Sequence, residues 1–209
     1  MSSRQEITYD PDEGRAYHGL LNSIILPRPI AWISTTSSAG IDNLAPHSYF
    51  SISSVDPPVV QFSSTGHKDT LRNATETGEF VVNLANSANF ERINATATEF
   101  PPDVSEFDAV GIEREPSMTV KPPRVAGSPV AIECATDGIR DFGASVVVFG
   151  RVKLIAIDED CLTDGHADVT KLKPLARLGG PFQWAEIGEI REISRIPEVE
   201  WPGHFDPDG

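Results

Sequence analysis

The 209 residues carry 39% hydrophobic and 23% charged side chains, the balance of a globular chain with a real core and a length suited to one domain. A formal net charge of −14 argues against nonspecific binding to nucleic acid or to an anionic membrane. Cys134 and Cys161 form no CxxC pair and suggest neither a disulfide framework nor a thiolate metal site; with no charged-then-apolar leader and no apolar run approaching 18 residues, the expected location is the cytoplasm.

Residues 1–19 read as a polar arm leading to an apolar run at 20–26. Two further apolar runs, at 30–33 and 59–62, read as strands. Between them NLAPHSYF (43–50) contains Pro46, which removes a donor and fixes φ, so this segment reads as an edge or irregular strand. Such an edge leaves backbone groups free for a planar heterocycle; an ordinary solvated edge is the alternative. Asp56-Pro57-Pro58 reads as a rigid turn into the next strand.

Residues 63–70, SSTGHKDT, follow a strand and open a helical pattern, with Leu71 and Ala74 three apart and Gly78 as its stop. Hydroxyls, Lys68 and the first free N–H groups of a helix then share one small volume, which suits an anion. Simple helix capping is the alternative. The segment is no P-loop, and the chain contains no GxGxxG. Residues 19–85 hold five acidic and three basic side chains, so most of the negative charge lies elsewhere, as suits a phosphate binder; the scarcity of charges in buried strands is the alternative.

Downstream, residues 80–84 read as a short strand with Phe80 and Val82 in the core and Asn83 as a polar contact. Phe90, Ile93 and Ala97 fall at helical spacing within 87–98, with Ser87 as N-cap, and residues 105–108 read as a short capped helix. Glu106 and Asp108 are two apart and point different ways, so they do not read as a catalytic pair. The strand at 130–136 alternates Val130, Ile132 and Cys134 against Ala131, Glu133 and Ala135, so Glu133 needs a partner or water and reads as a rim or interface residue, with a proton donor as the alternative. Residues 145–157 form the strongest strand pattern, interrupted by Gly150 as a bulge or close backbone approach. Residues 158–168 read as an exposed acidic loop, and 172–178 as a helical or turn segment ending at Gly179-Gly180, in which Arg177 is the basic residue of functional interest. In the tail, residues 194–209, Trp201 and Phe205 are candidate anchors on a neighbouring subunit, with an unstructured tail as the alternative.

PRPIAWIST, NLAPHSYF, DPPVVQFSS, HKDTLRNATETGEFVVN, SEFDAVGI, PPRVAGSPVAIEC and PLARLGG occur in an order that resembles the flavin reductase-like proteins with the FMN-binding split barrel. The resemblance implies a mainly β fold, a six-stranded antiparallel Greek-key split barrel with a few short helices over residues 20–193, and a homodimer holding FMN near the subunit interface. It places Asn43, Ala45 and Ser48 along the isoalloxazine, with Pro46 and His47 in the same segment. Ser63, Ser64, Lys68, Asp69 and Thr70 would surround the ribityl phosphate beside His67, with Arg177 near by; Asn83 completes the candidate cofactor-binding set. No catalytic triad, HExxH or clustered metal ligands occur, so the chemistry is expected from the cofactor. Hydride transfer from NADH or NADPH to FMN and onward to an acceptor is the leading expectation. His47 would shape the pocket or shuttle protons. A flavoredoxin-like electron carrier serving a redox partner protein, and a flavin-free binding module, are the alternatives.

Overall fold

The computed structural model describes residues 4–8, 10, 12 and 14–201. In chain order its elements are α1 (Gly14–Ile24), β1 (Arg28–Pro29), β2 (Ala31–Thr36), β3 (Asp42–His47), β4 (Phe50–Val55), β5 (Pro58–Thr65), α2 (Asp69–Thr77), β6 (Glu79–Leu84), α3 (Phe90–Ala95), α4 (Glu106–Val110), β7 (Arg114–Glu115), β8 (Arg124–Val125), β9 (Val130–Asp141), β10 (Ser145–Ile157), β11 (Leu162–Thr163), β12 (His166–Ala167), α5 (Val169–Leu172), β13 (Leu175–Arg177) and β14 (Trp184–Glu186).

Seven strands form one antiparallel sheet in the order β3-β2-β6-β9-β10-β5-β4. Its two edge strands, β3 and β4, are consecutive in sequence and joined only by Ser48 and Tyr49. Three Cα steps reach at most about 11 Å, whereas a flat sheet of seven strands would separate its edges by roughly 29 Å at about 4.8 Å per strand. The sheet therefore rolls up on itself. The result is the expected mainly β split barrel, with seven strands in the rolled sheet where the resemblance implies six.

Side-chain alternation along β2 builds two cores. Ala31 and Ile33 face inward with Val60, Phe62, Leu71, Phe80, Val82, Cys134 and Val148. Ile30 and Trp32 face outward and are covered by Ile93 of α3, Phe107 of α4 and Leu175 of β13. Covering both faces explains why IAWI shows no hydrophilic side. Trp32 is buried completely, and its Nε1 donates to Thr96 Oγ1 at 2.8 Å.

Gly150 fulfils both readings of its position. The β9–β10 register shifts between Phe149 and Gly150, and a Cβ at Gly150 would overlap the Phe80 ring and crowd Cys134. Gly150→Ala is expected to cost about 1–3 kcal/mol through overpacking, read as a lower urea midpoint at unchanged m-value.

Several local expectations are corrected. Tyr17, Leu20, Leu21 and Ile24 follow i, i+3, i+4, i+7 spacing, and α1 runs across the boundary expected between arm and domain. The helix expected over 87–98 is a 3₁₀ turn at Ser87–Asn89 followed by α3, so Ser87 is not its N-cap. The 172–178 segment divides: Lys173 takes a left-handed φ of 47° and stops α5, Pro174 cannot continue a helix, and residues 175–177 become β13, paired with β1 and β14. Glu133 is fully buried rather than on a rim, because the 117–124 segment folds over that face of β9 and supplies its partners. The tail reading is not among these corrections: Trp201 is exposed on this single chain, as an anchor for a neighbouring subunit would be, and Phe205 lies outside the described residues.

Candidate functional site

Where β3 passes into β4 and β5 into α2, the chain encloses a cavity of about 700 Å³, within the range of small-molecule sites. From the β3 side it is lined by Asn43, Ala45, Pro46, His47 and Ser48, and from the β5–α2 side by Ser63, Ser64, His67, Lys68, Asp69 and Thr70. Arg177, at the end of β13, completes a group of twelve of the thirteen candidate residues. Asn83 stands apart. Its amide donates to Trp32 O at 3.1 Å and accepts from Val125 N at 2.9 Å, so it joins β6 to β2 and β8 and has no place on the cavity wall.

The α2 end of the cavity follows from local sequence. Gly66 takes a φ of 78°, which glycine adopts without strain, and Ser64 Oγ donates to its carbonyl at 2.9 Å. The chain then enters α2 at Lys68, whose extended backbone is the N-cap but whose side chain caps nothing. The first N–H groups of this nine-residue helix consequently have no capping side chain. Asn43 Nδ2 donates to Thr70 Oγ1 at 3.0 Å, fastening β3 to the helix start. Asp69 is held by Arg72 at 2.6 Å, and Lys68 Nζ lies 2.7 Å from Glu99 Oε1 across the opening. Both members of that second pair are exposed, so the contact contributes little and leaves Lys68 free to exchange partners.

His47 occupies the wall between the two sides. Its ring packs 4.9 Å from the Phe62 ring, and Nδ1 lies 3.3 Å from Ser63 O. A carbonyl only accepts, so Nδ1 carries the hydrogen and Nε2 presents a lone pair. That Nε2 is buried and has no hydrogen-bond partner among the described residues. Burial pushes the imidazole pKa down to about 4; the Ser63 contact opposes this shift and the Lys68 charge adds to it. The ring is therefore neutral at physiological pH, with Nε2 as a hydrogen-bond acceptor.

Sequence reasoning did not single out His18, Asn22, Arg28, Tyr49 or Glu99, which also line the cavity. Tyr49 Oη donates to Asn22 Oδ1 at 2.7 Å, bringing α1 to the rim. Arg28 and Tyr49 lie inside motifs already noted; His18 falls in the segment read as an arm and Asn22 in the apolar run after it, and only α1, which spans both, brings them to one face of the cavity. Glu106 is also on the wall, its Oε2 accepting from Leu44 N at 2.9 Å. Burial raises its carboxyl pKa, and the Leu44 contact works against that rise. Among the described residues no group of three metal-ligating side chains occurs, and no helix is long and apolar enough to cross a membrane.

A rolled antiparallel sheet with a polar cavity at the junction of its edge strands, beside the start of α2, defines a protein of the split-barrel class. The family model described as "Flavin reductase like domain" matches residues 23–174, and the chain belongs to the flavin reductase-like family. An uncharacterised protein of Aquifex aeolicus is 36% identical over 193 residues, covering 89% of this chain and 98% of its own length. Among solved structures, nitrilotriacetate monooxygenase component B of Bacillus cereus is 31% identical with a TM-score of 0.85, over 91% of this chain and 100% of that one. The 2-nitrobenzoate 2-nitroreductase of Pseudomonas fluorescens is 30% identical with a TM-score of 0.84, over 93% and 97%.

Proposed function

We propose that the chain binds FMN in this cavity and works as an oxidoreductase that takes reducing equivalents from NADH or NADPH and passes them to a second acceptor. The observation that supports it best is a convergence within one cavity: uncapped helix amides, the exposed Lys68 ammonium and a buried His47 acceptor without a partner. Each is a group whose hydrogen bonding a flavin mononucleotide could complete. Membership of the flavin reductase-like family points the same way.

In this reading Ser63, Ser64, Thr70 and the first N–H groups of α2 hold the phosphate, with Lys68 leaving Glu99 to add a full charge. Asn43, Ala45, Pro46 and Ser48 lie along the ring, and His67 and Asp69 border the phosphate end. His47 receives a hydrogen bond from the ligand. A bound flavin would supply the hydride- and electron-transfer chemistry. The residues around it bind, orient and exclude water; none is needed as an obligatory acid or base. Leu21 and Ile24 of α1 and Ile52 and Val55 of β4 are exposed, which suits a homodimer.

Anaerobic mixing of the FMN-loaded protein with NADH and with NADPH tests the reading: bleaching of the bound flavin by at least one is expected, and bleaching by neither removes the reductase activity. Lys68→Ala should weaken FMN by about 1–3 kcal/mol, the scale of a lost charge-assisted contact, and riboflavin far less. Equal losses for the two ligands would separate Lys68 from the phosphate.

A further inference from the structure

Arg28 and Arg177 are directly paired across the antiparallel β1–β13 ladder. Such partners have Cβ atoms about 4.5–5.5 Å apart, and like charges placed there repel. In a chain with 31 acidic residues, neither guanidinium forms an ion pair with a carboxylate among the described residues, whereas Arg72, Arg114, Arg124, Arg151 and Arg191 all do.

Arg28 is only 8% exposed. Its Nη1 donates to the carbonyls of Asn22 and Ile25 and its Nη2 to Leu178 O, but Nε is buried without a partner among the described residues. Arg177 Nη2 donates to Pro181 O at 2.7 Å, and its guanidinium lies 4.8 Å from the Trp184 ring centroid. Both arginines line the cavity. A buried cation with no counter-charge, as Arg28 is, is costly, and the partly exposed Arg177 opposite it adds like-charge repulsion. Burial lowers the Arg177 pKa and the Arg28 charge lowers it further.

We propose that Arg28 and Arg177 form a second anion site in the flavin cavity, which takes a compact oxyanion, carboxylate or phosphate, carried by the reactant that meets the flavin. This rests on the flavin reading above, in which the single FMN phosphate occupies the α2 end. The two cationic groups are carried by different elements of the cavity wall: Lys68 stands at the start of α2, whereas Arg28 and Arg177 face each other across β1 and β13. Arg177 is accordingly reassigned from the neighbourhood of the ribityl phosphate to the second reactant.

Arg177→Gln is the direct test, because it removes one charge and leaves the Arg28 clamp in place. Four ligands are titrated against both proteins: FMN, riboflavin, reduced nicotinamide mononucleotide as the phosphate probe and benzoate as the carboxylate probe. The substitution is expected to weaken at least one anionic probe by about ten- to a hundredfold and to leave the ratio of FMN to riboflavin affinity within about twofold, with Arg177→Lys recovering part of the loss. Loss confined to the mononucleotide identifies a phosphate-bearing reductant, and loss confined to benzoate a carboxylate-bearing acceptor. A selective loss of FMN over riboflavin would give the pair to the flavin's own phosphate and overturn the proposal, as would unchanged affinity for both probes. A wild-type FMN titration that fails to saturate overturns the flavin reading separately, since calorimetry of the two probes on flavin-free protein still decides the anion site.

Discussion

Glu133→Ala is expected to lower the unfolding free energy by about 3–5 kcal/mol, the range for breaking a buried ion pair by removing one partner. The carboxylate is fully buried and accepts from Met118 N at 2.9 Å, Thr119 N at 2.6 Å and the Thr119 hydroxyl. Arg124 adds Nε at 2.9 Å and Nη2 at 2.6 Å. Burial alone would raise the Glu133 pKa; the contacts from Thr119, Met118 and Arg124 outweigh it and hold the pKa below the ordinary carboxylate value. Truncation leaves two amides without acceptors and Arg124, itself 7% exposed, with only Glu115 at the surface. The damage spreads toward β2 and β6, because the same segment accepts a hydrogen bond from Ser34 through Pro123 O and donates one to Asn83 through Val125 N. Urea unfolding of the variant measures the loss, and Glu133→Gln should fall between it and the native protein. A loss below about 1 kcal/mol, the worth of an exposed pair, would mean that Glu133 is solvated in solution.

The second large effect is acid destabilisation through His47. Its folded pKa is depressed to about 4 against an ordinary value of 6.5. Between those values only the unfolded chain takes up the proton, so the stability His47 contributes is present above about pH 6.5 and is lost as the pH falls toward 4. A difference of about 2.5 pH units corresponds to a loss on the order of 3 kcal/mol at about 1.36 kcal/mol per unit. His47→Phe keeps a ring beside Phe62 and removes the titration. Unfolding curves collected from pH 7.5 down to 4.5 should therefore fall less steeply for the variant. Parallel curves would show that the imidazole reaches water and protonates normally. A histidine that stays neutral through the physiological range acts on a ligand only as an acceptor, through Nε2.

Much of this was legible in the sequence because it is local. The runs at 30–33 and 59–62, the helix stop at Gly78 and the interruption at Gly150 are set by side-chain alternation, positive φ and the lack of a Cβ, and all recur in the structure. Motif order pointed to the family, and the segments around Asn43–His47 and Ser63–Thr70 supplied most of the cavity lining. What sequence spacing could not settle depends on distant segments meeting. Glu133 looked like a rim residue because the loop that buries it is contributed by residues 118–124. The 175–177 segment looked helical or turn-like because its strand partners lie at 28–29 and 184–186. Arg28 and Arg177 are about 150 residues apart along the chain and oppose each other only once β13 pairs with β1. Local conformational preference is written in neighbouring residues, whereas burial, counter-charge and the closing of a cavity are properties of the folded whole.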